Sequence, residues 1–115
     1  AELAEGVMLL TPFAADAEDE KTQTFTAAYQ EAYDGATPNQ FAADAYDAIY
    51  IIKAAIEQAE ATPDMSVSDL CEALKVAMTE ITVEGVTGTM TWDASGEPTK
   101  EPKAMVIKDG AYSAV

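Results

Sequence analysis

The chain has 115 residues, 49% of them hydrophobic, with 21 acidic side chains against 6 basic ones and a formal net charge of −15. That leaves room for one domain whose core buries roughly 65% of the unfolded surface, in a chain too apolar to be a disordered acidic tail. The acidity excludes nucleic acid and an anionic membrane surface as partners, since both are held by Lys and Arg neutralising phosphates, and its ordinary consequence is solubility.

The start, AELAEGVMLL, enters a strand almost at once, with no leader segment and no initiator Met, and reads as a cut made upstream of that strand. Val7–Thr11 is a continuous apolar run closed by Pro12, which predicts a strand covered on both faces. The carboxylates of Asp16–Glu20 follow where the next helix should begin, and complement its positive end. That helix is predicted over Glu20–Tyr33, with Thr22, Phe25, Tyr29, Ala32 and Tyr33 on one face. Gly35 is placed to end it in a left-handed conformation.

The longest predicted helix runs from Ala42 to Ala61. Ala45, Ala48, Ile49, Ile52, Ala55, Ile56 and Ala59 make its apolar stripe, and Asp47, Lys53, Glu57 and Gln58 the other side. Its many alanines favour close approach to a sheet. Pro63 ends the region, and Ser66 with Asp69 three residues on forms a capping box for a third helix, Val67–Met78, with Leu70, Leu74, Ala77 and Met78 inward. The single cysteine, Cys71, cannot form an internal disulfide. Its place beside Leu70 and Leu74 predicts a small buried hydrophobe.

After Thr79 the period changes. ITVEGVTGTMTW is β-rich and is broken into short pieces by Gly85 and Gly88, and DASGEP is a turn by composition. KAMVIK (Lys103–Lys108) is the next strand, Asp109-Gly110 a tight-turn dipeptide, and AYSAV a closing strand. A self-sufficient doubly wound fold alternates strands and helices. Here one strand precedes three helices, so it needs a partner from the carboxyl-terminal strands or from another chain. An unpaired edge of that kind predicts a homodimer of the fragment.

No residue pattern points to catalysis. The chain has no His, which removes Ser-His-Asp and Cys-His nucleophile systems, His-ligated zinc and the commonest general base. GxGxxG, GxxxxGK[ST] and CxxC do not occur. With 21 acids, a carboxylate pair of the glycosidase kind arises by chance. Asp16 to Glu20 alternates acids like a calcium loop, but Lys21 stands where the loop needs Gly and Ala27 where it needs a bidentate Glu. Neither a metal nor a cofactor is expected. Asp44 and Asp47 sit in the first turns of the long helix, where its dipole stabilises them by about 0.3–1 kcal/mol each without any ligand. Phe41 stands at the loop-to-helix junction, either as a core anchor or facing a cleft. Tyr29, Tyr33, Tyr46 and Tyr50 are spaced as packing residues with a polar tip at the rim.

Five motifs in this order resemble the C-terminal third of solute-binding proteins of the leucine/isoleucine/valine-binding family, the type I periplasmic binding proteins. AEGVMLLTPF resembles a segment crossing between two lobes, and AYDGATP a "Y…YG..P" stretch. FAADAYDAIYIIKAAIEQA is similar to the "A…AYDA" helix, DLCEAL to the short helix after it, and GVTGTMTWDASGEP to the "G.TG…FD..G" signature. Trp92 departs from it where Phe is commoner, and the carboxyl tail lacks a clear return helix. The resemblance implies an α/β partial lobe of a Venus-flytrap fold, residues 1–115 forming one partial domain with helices packed on a sheet and a C-terminal β hairpin. It implies an extracytoplasmic receptor, free or lipid-anchored, that binds an amino acid of the branched-chain type between its lobes and delivers it to an ABC importer permease. By the same resemblance Phe41 packs against the ligand side chain, Asp44 borders the cleft, and Val7–Pro12 is the hinge strand. The alternative from another class is a self-contained small acidic interaction module working as a dimer.

Overall fold

A computed structural model describes residues 2–115. Three helices form where capping side chains precede them. α1 spans Glu20–Ala32, and the Asp19 carboxylate accepts the Thr22 N–H at 3.0 Å. α2 spans Gln40–Gln58, with Asn39 Oδ1 accepting the Ala42 N–H at 3.0 Å. α3 spans Val67–Met78, and Ser66 Oγ accepts the Asp69 N–H at 3.1 Å while donating to its carboxylate at 2.7 Å. Each cap satisfies an amide that has no partner inside its own helix. α1 stops where Asp34 and Gly35 take φ of +52° and +82°, and the Gly35 N–H returns to the Gln30 carbonyl at 2.8 Å, as the glycine predicted. α2 begins two residues before and stops three residues before the predicted span, its end marked by Glu60 at φ +48°.

Burial pushes the Asp19 carboxyl up, but the Thr22 N–H and the nearby Lys103 ammonium outweigh it and hold it below the ordinary value of 3.8. The buried Thr22 hydroxyl has no hydrogen-bond partner among the described residues. Because folding depresses this pKa, the stabilisation is complete above the unfolded carboxylate range and is lost as pH falls through the lower native value. Asp19→Ala is expected to cost about 1 kcal/mol at pH 7. In urea titrations the gap between the variant and the parent should narrow once the pH drops below 3.8.

Two small antiparallel sheets complete the fold. In the first, β1 (Met8–Thr11) pairs with β5 (Lys103–Lys108), which pairs with β6 (Ala111–Ala114), giving the order β1-β5-β6. The carboxyl-terminal strands thus supply the partner the first strand needs. Asp109 and Gly110 both have positive φ, +52° and +78°, the two-residue turn that matches the twist of a hairpin. In the second sheet β2 (Val83–Gly85), β3 (Gly88–Trp92) and β4 (Pro98–Thr99) follow one another. The DASGEP turn closes on Asp93, whose carboxylate accepts the Ser95 and Glu97 N–H groups at 2.8 and 3.1 Å.

The expectation that the first strand is covered on both faces is not met. Thr11 is buried and Leu9 half-buried, but Met8 and Leu10 on the other face are 63% and 71% exposed. α2 and α3 pack on the second sheet rather than this one, so the opposite face of β1 meets nothing among the described residues.

The core lies in two clusters joined by α2. One contains Phe13, Phe25, Ala43 and Val86, with Phe13 and Phe25 edge to face at 5.7 Å. The other contains Ala55, Ile81, Val83 and Met90, with Ile51, Leu74, Met78 and Trp92 packed around it. The alanines of α2 do bring it close to a sheet, but with a different face from the predicted one. Ala43, Asp47 and Ala55 are buried, whereas Ala45, Ile49, Ile52 and Ile56 are exposed. Asp47, expected on the outer side, is 2% exposed. The helix is turned so that this carboxylate meets buried amides, at the expense of covering isoleucines. Leu70, Leu74, Ala77 and Met78 line the inner side of α3 as expected, but Cys71 is exposed. It lies one position round the helix from Leu70, beyond the inward face.

The radius of gyration is 17.3 Å, with extents of 56 × 31 × 22 Å. A compact chain of this length would have a radius near ~13 Å, so the β1-β5-β6 ribbon extends away from the helical layer instead of lying beneath it.

Candidate functional site

The amino end of α2 sits beside the ribbon where β1 ends and β5 begins. Pro38 is buried, Asn39 caps the helix, and Gln40 and Phe41 open it. The Thr11 hydroxyl, at the end of β1, lies 3.0 Å from Gln40 Oε1 and 3.1 Å from the Phe13 carbonyl, one proton serving two acceptors. Phe41 is 75% exposed among the described residues. Its ring borders an open cleft of about 780 Å³ between the start of α2 and the ribbon, with Leu9, Thr11, Gln40, Met105 and Tyr112 also on its walls. Asp16 is the only carboxylate there, no Lys or Arg joins it among the described residues, and it accepts the Ala114 N–H at 3.0 Å.

Asp44, one turn beyond Phe41, is not on the wall of this cleft. Its carboxylate pairs with the Lys100 ammonium at 2.8 Å, with the two side chains 35% and 26% exposed. Structure therefore brings Phe41 to a cleft and commits Asp44 to an ion pair.

Asp47 holds the β2–β3 turn. Its Oδ1 accepts the Val86 N–H at 2.9 Å, and its Oδ2 accepts the Thr87 N–H at 2.9 Å and the Thr87 hydroxyl at 2.5 Å. Gly85 passes directly against this carboxylate, so that a Cβ on residue 85 would overlap its atoms. A second groove of about 670 Å³ runs beside this junction, between α1, α2 and β2. Phe25, Tyr46 and Tyr50 form a stack along it, with ring centroids 4.8 and 5.0 Å apart. The Tyr46–Tyr50 hydroxyl contact of 3.2 Å, with burial and the nearby Asp47 charge, raises the Tyr46 pKa above 10.0. Tyr46 and Tyr50 pack ring to ring with their hydroxyls meeting at an exposed edge, as their spacing predicted.

Among the described residues no cluster of Cys, Asp or Glu is arranged to hold a metal ion. The cleft offers an aromatic face, methyl and thioether surface, and neutral amide and hydroxyl groups, which suits holding a small molecule.

Sequence reasoning missed Asp47, Asp16 and Lys100. The signal for Asp47 was its spacing of four from Ala43 and Ile51 and eight from Ala55, together with a Gly-Val-Thr-Gly turn whose two central amides need an acceptor. Asp16 and Lys100 carried no local signal, since their partners are 98 and 56 residues away.

The family model described as periplasmic binding protein matches residues 1–111, and the chain belongs to that family, one of solute-binding proteins rather than enzymes. A putative branched-chain amino acid ABC transporter protein from Rhodospirillum rubrum is 34% identical, over 97% of this chain and 31% of its own, with a TM-score of 0.70. Two further structures share the fold at lower identity. The ABC transporter substrate-binding protein of Desulfitobacterium hafniense, in complex with Leu, is 23% identical over 99% of this chain and 32% of its own, with a TM-score of 0.80. A solute-binding protein of Rhodopseudomonas palustris, in complex with 3,4-dihydroxybenzoic acid, is 19% identical over 100% of this chain and 31% of its own, with a TM-score of 0.79. The chain thus spans about a third of the length of the solved structures it matches. None of the curated proteins compared matches it. The α/β partial fold and the family expected from the motifs are both borne out.

Proposed function

We propose that residues 1–115 are one partial domain of a two-lobed extracytoplasmic receptor, which binds an amino acid of the branched-chain type and passes it to the permease of an ABC importer. The observation that carries this reading is Phe41, an exposed ring at the mouth of a cleft beside the antiparallel β1–β5 ribbon. In this reading the ribbon, with Val7–Pro12 at its start, is where the lobes join, and closure about it brings Phe41 against the ligand side chain. The cleft wall here has no cation, so the carboxylate of the ligand is gripped by other segments, and this part receives its apolar end. The family fits an extracytoplasmic location. Among the described residues no helix is long and apolar enough to cross a membrane.

The experiment is a thermal-shift screen of the full-length receptor against amino acids and aromatic carboxylates. A ligand that binds only the folded state adds about 2.7 kcal/mol of stability at a hundred times its dissociation constant. A shift with leucine, isoleucine or valine is expected. A shift confined to an aromatic carboxylate would replace the amino-acid reading. Phe41→Ala should weaken the ligand found by about ten- to a hundredfold, the value of burying one large apolar side chain, with the melting point of the unliganded protein unchanged. The exposed Leu10, Ile49 and Ile52 favour one other reading, self-association as a small acidic module. A monomer in light scattering at every concentration excludes it.

A further inference from the structure

The β1-β5-β6 ribbon is joined to the helical layer by two chain crossings at one end. Thr11 ends β1 and is paired in register with Lys103, the first residue of β5. Pro12 leads from Thr11 to the buried Phe13 and Ala14, and residues 100–102 lead from β4 to Lys103. The Thr11 hydroxyl, with its bonds to Phe13 and Gln40, lies at this crossing and so restrains a turn of the ribbon little. β6 is the outer strand, about 10 Å from β1 at the usual spacing between strands. A carboxylate reaches it there, Asp16 Oδ2 accepting the Ala114 N–H at 3.0 Å. The Val115 N–H goes to the Ala104 carbonyl on β5, so alternation along the strand turns the Ala114 N–H to the open edge. Asp16 itself belongs to the helical layer. Ala15 packs on the Phe13–Phe25 cluster and accepts the Thr26 hydroxyl at 3.4 Å, and the Ala17 N–H returns to the Ala14 carbonyl at 3.1 Å.

We propose that Asp16 is a latch between the helical layer and the outer strand of the ribbon, a positioning residue for the ribbon wall of the cleft rather than a ligand contact. This rests on reading the ribbon as the junction between lobes. Turning the ribbon by ~10° about β1 moves β6 by roughly 1.7 Å, and a hydrogen bond stretched past about 3.5 Å is lost. The bond therefore belongs to one orientation and biases which is populated. The Asp16 side chain is exposed, so water competes and the bias is modest. Removing the acceptor shifts the equilibrium by about threefold, the low end of the net value of a hydrogen bond.

Orientation is measured without ligand, so failure of the latch is distinguishable from failure of the receptor reading, which the thermal-shift screen decides. Spin labels are placed on Cys71, exposed on α3, and on Lys108→Cys at the far end of β5. They are introduced into full-length protein with no other cysteine, and the distance distribution is recorded by pulsed electron paramagnetic resonance. With Asp16→Ala the population at the parent distance should fall about threefold relative to the others. Ala114→Pro removes the donor from the other side, at an edge position where proline is tolerated, and should give the same shift. The two changes together should shift it no further than either alone, because they remove one contact. A parent-like distribution in Asp16→Ala overturns the latch, as does an additive shift in the double variant. Should Ala114→Pro lower the folded fraction, Asp16→Asn carries the test in its place. Its amide oxygen still accepts, so a shift as large as that of Asp16→Ala overturns the latch.

Discussion

Asp47→Ala is expected to destabilise the protein by about 3–5 kcal/mol, the largest single-residue effect predicted here. The Val86 N–H, the Thr87 N–H and the Thr87 hydroxyl all point at this carboxylate from a buried turn. Removing it leaves three buried polar groups unsatisfied. A lost hydrogen bond to a charged acceptor is worth about 1.5–3 kcal/mol and a buried donor left unsatisfied costs about 1–3 kcal/mol, so losing three such contacts at once, which is less than additive among neighbours, reaches about 3–5 kcal/mol. No mechanism recovers this by relaxation unless water enters the turn. Asp47→Asn should cost less, since its amide oxygen still accepts, while its NH₂ meets donors. Urea unfolding by circular dichroism checks both. A midpoint for Asp47→Ala within error of the parent would mean that the turn does not depend on the helix.

Gly85→Ala is expected to cost about 1–3 kcal/mol, and its size should depend on Asp47. Forcing extra volume into a packed site costs about that much, and here the added methyl would overlap the carboxylate itself. The side chain of Asp47 cannot move aside without giving up its hydrogen bonds. The double variant Asp47→Ala with Gly85→Ala should therefore be less destabilised than the sum of the single changes, by about 0.5–3 kcal/mol. An additive result would show that the methyl is accommodated by the backbone of β2 and not by the carboxylate. The same contacts account for the burial of an aspartate in α2. Two turn amides and a hydroxyl require an acceptor, and only this phase of α2 supplies one.

Much of the architecture was legible in the chain because it rests on local chemistry. Ser66 with Asp69 marked the start of α3, Gly35 the end of α1, and Asp109-Gly110 the last hairpin, since each acts within a few residues. Phe41 was placed at a helix entrance by the same logic, and it stands in the first turn of α2 beside an open cleft. The family followed from five motifs in order, each weak alone.

What the sequence by itself determined is the set of elements and the absence of histidine chemistry, because caps, turns, apolar periods and composition act over short range. Only the tertiary structure decided which face of α2 is inward, that Cys71 is exposed, and that Asp44 is paired with Lys100. Hydrophobic periodicity is blind to an acceptor wanted 39 and 40 residues away, and to an ammonium 56 residues away. Those partners meet only once the hairpin and the ribbon have been brought against α2, and the free energy of satisfying buried amides then selects a helix phase that apolar counting alone would not choose.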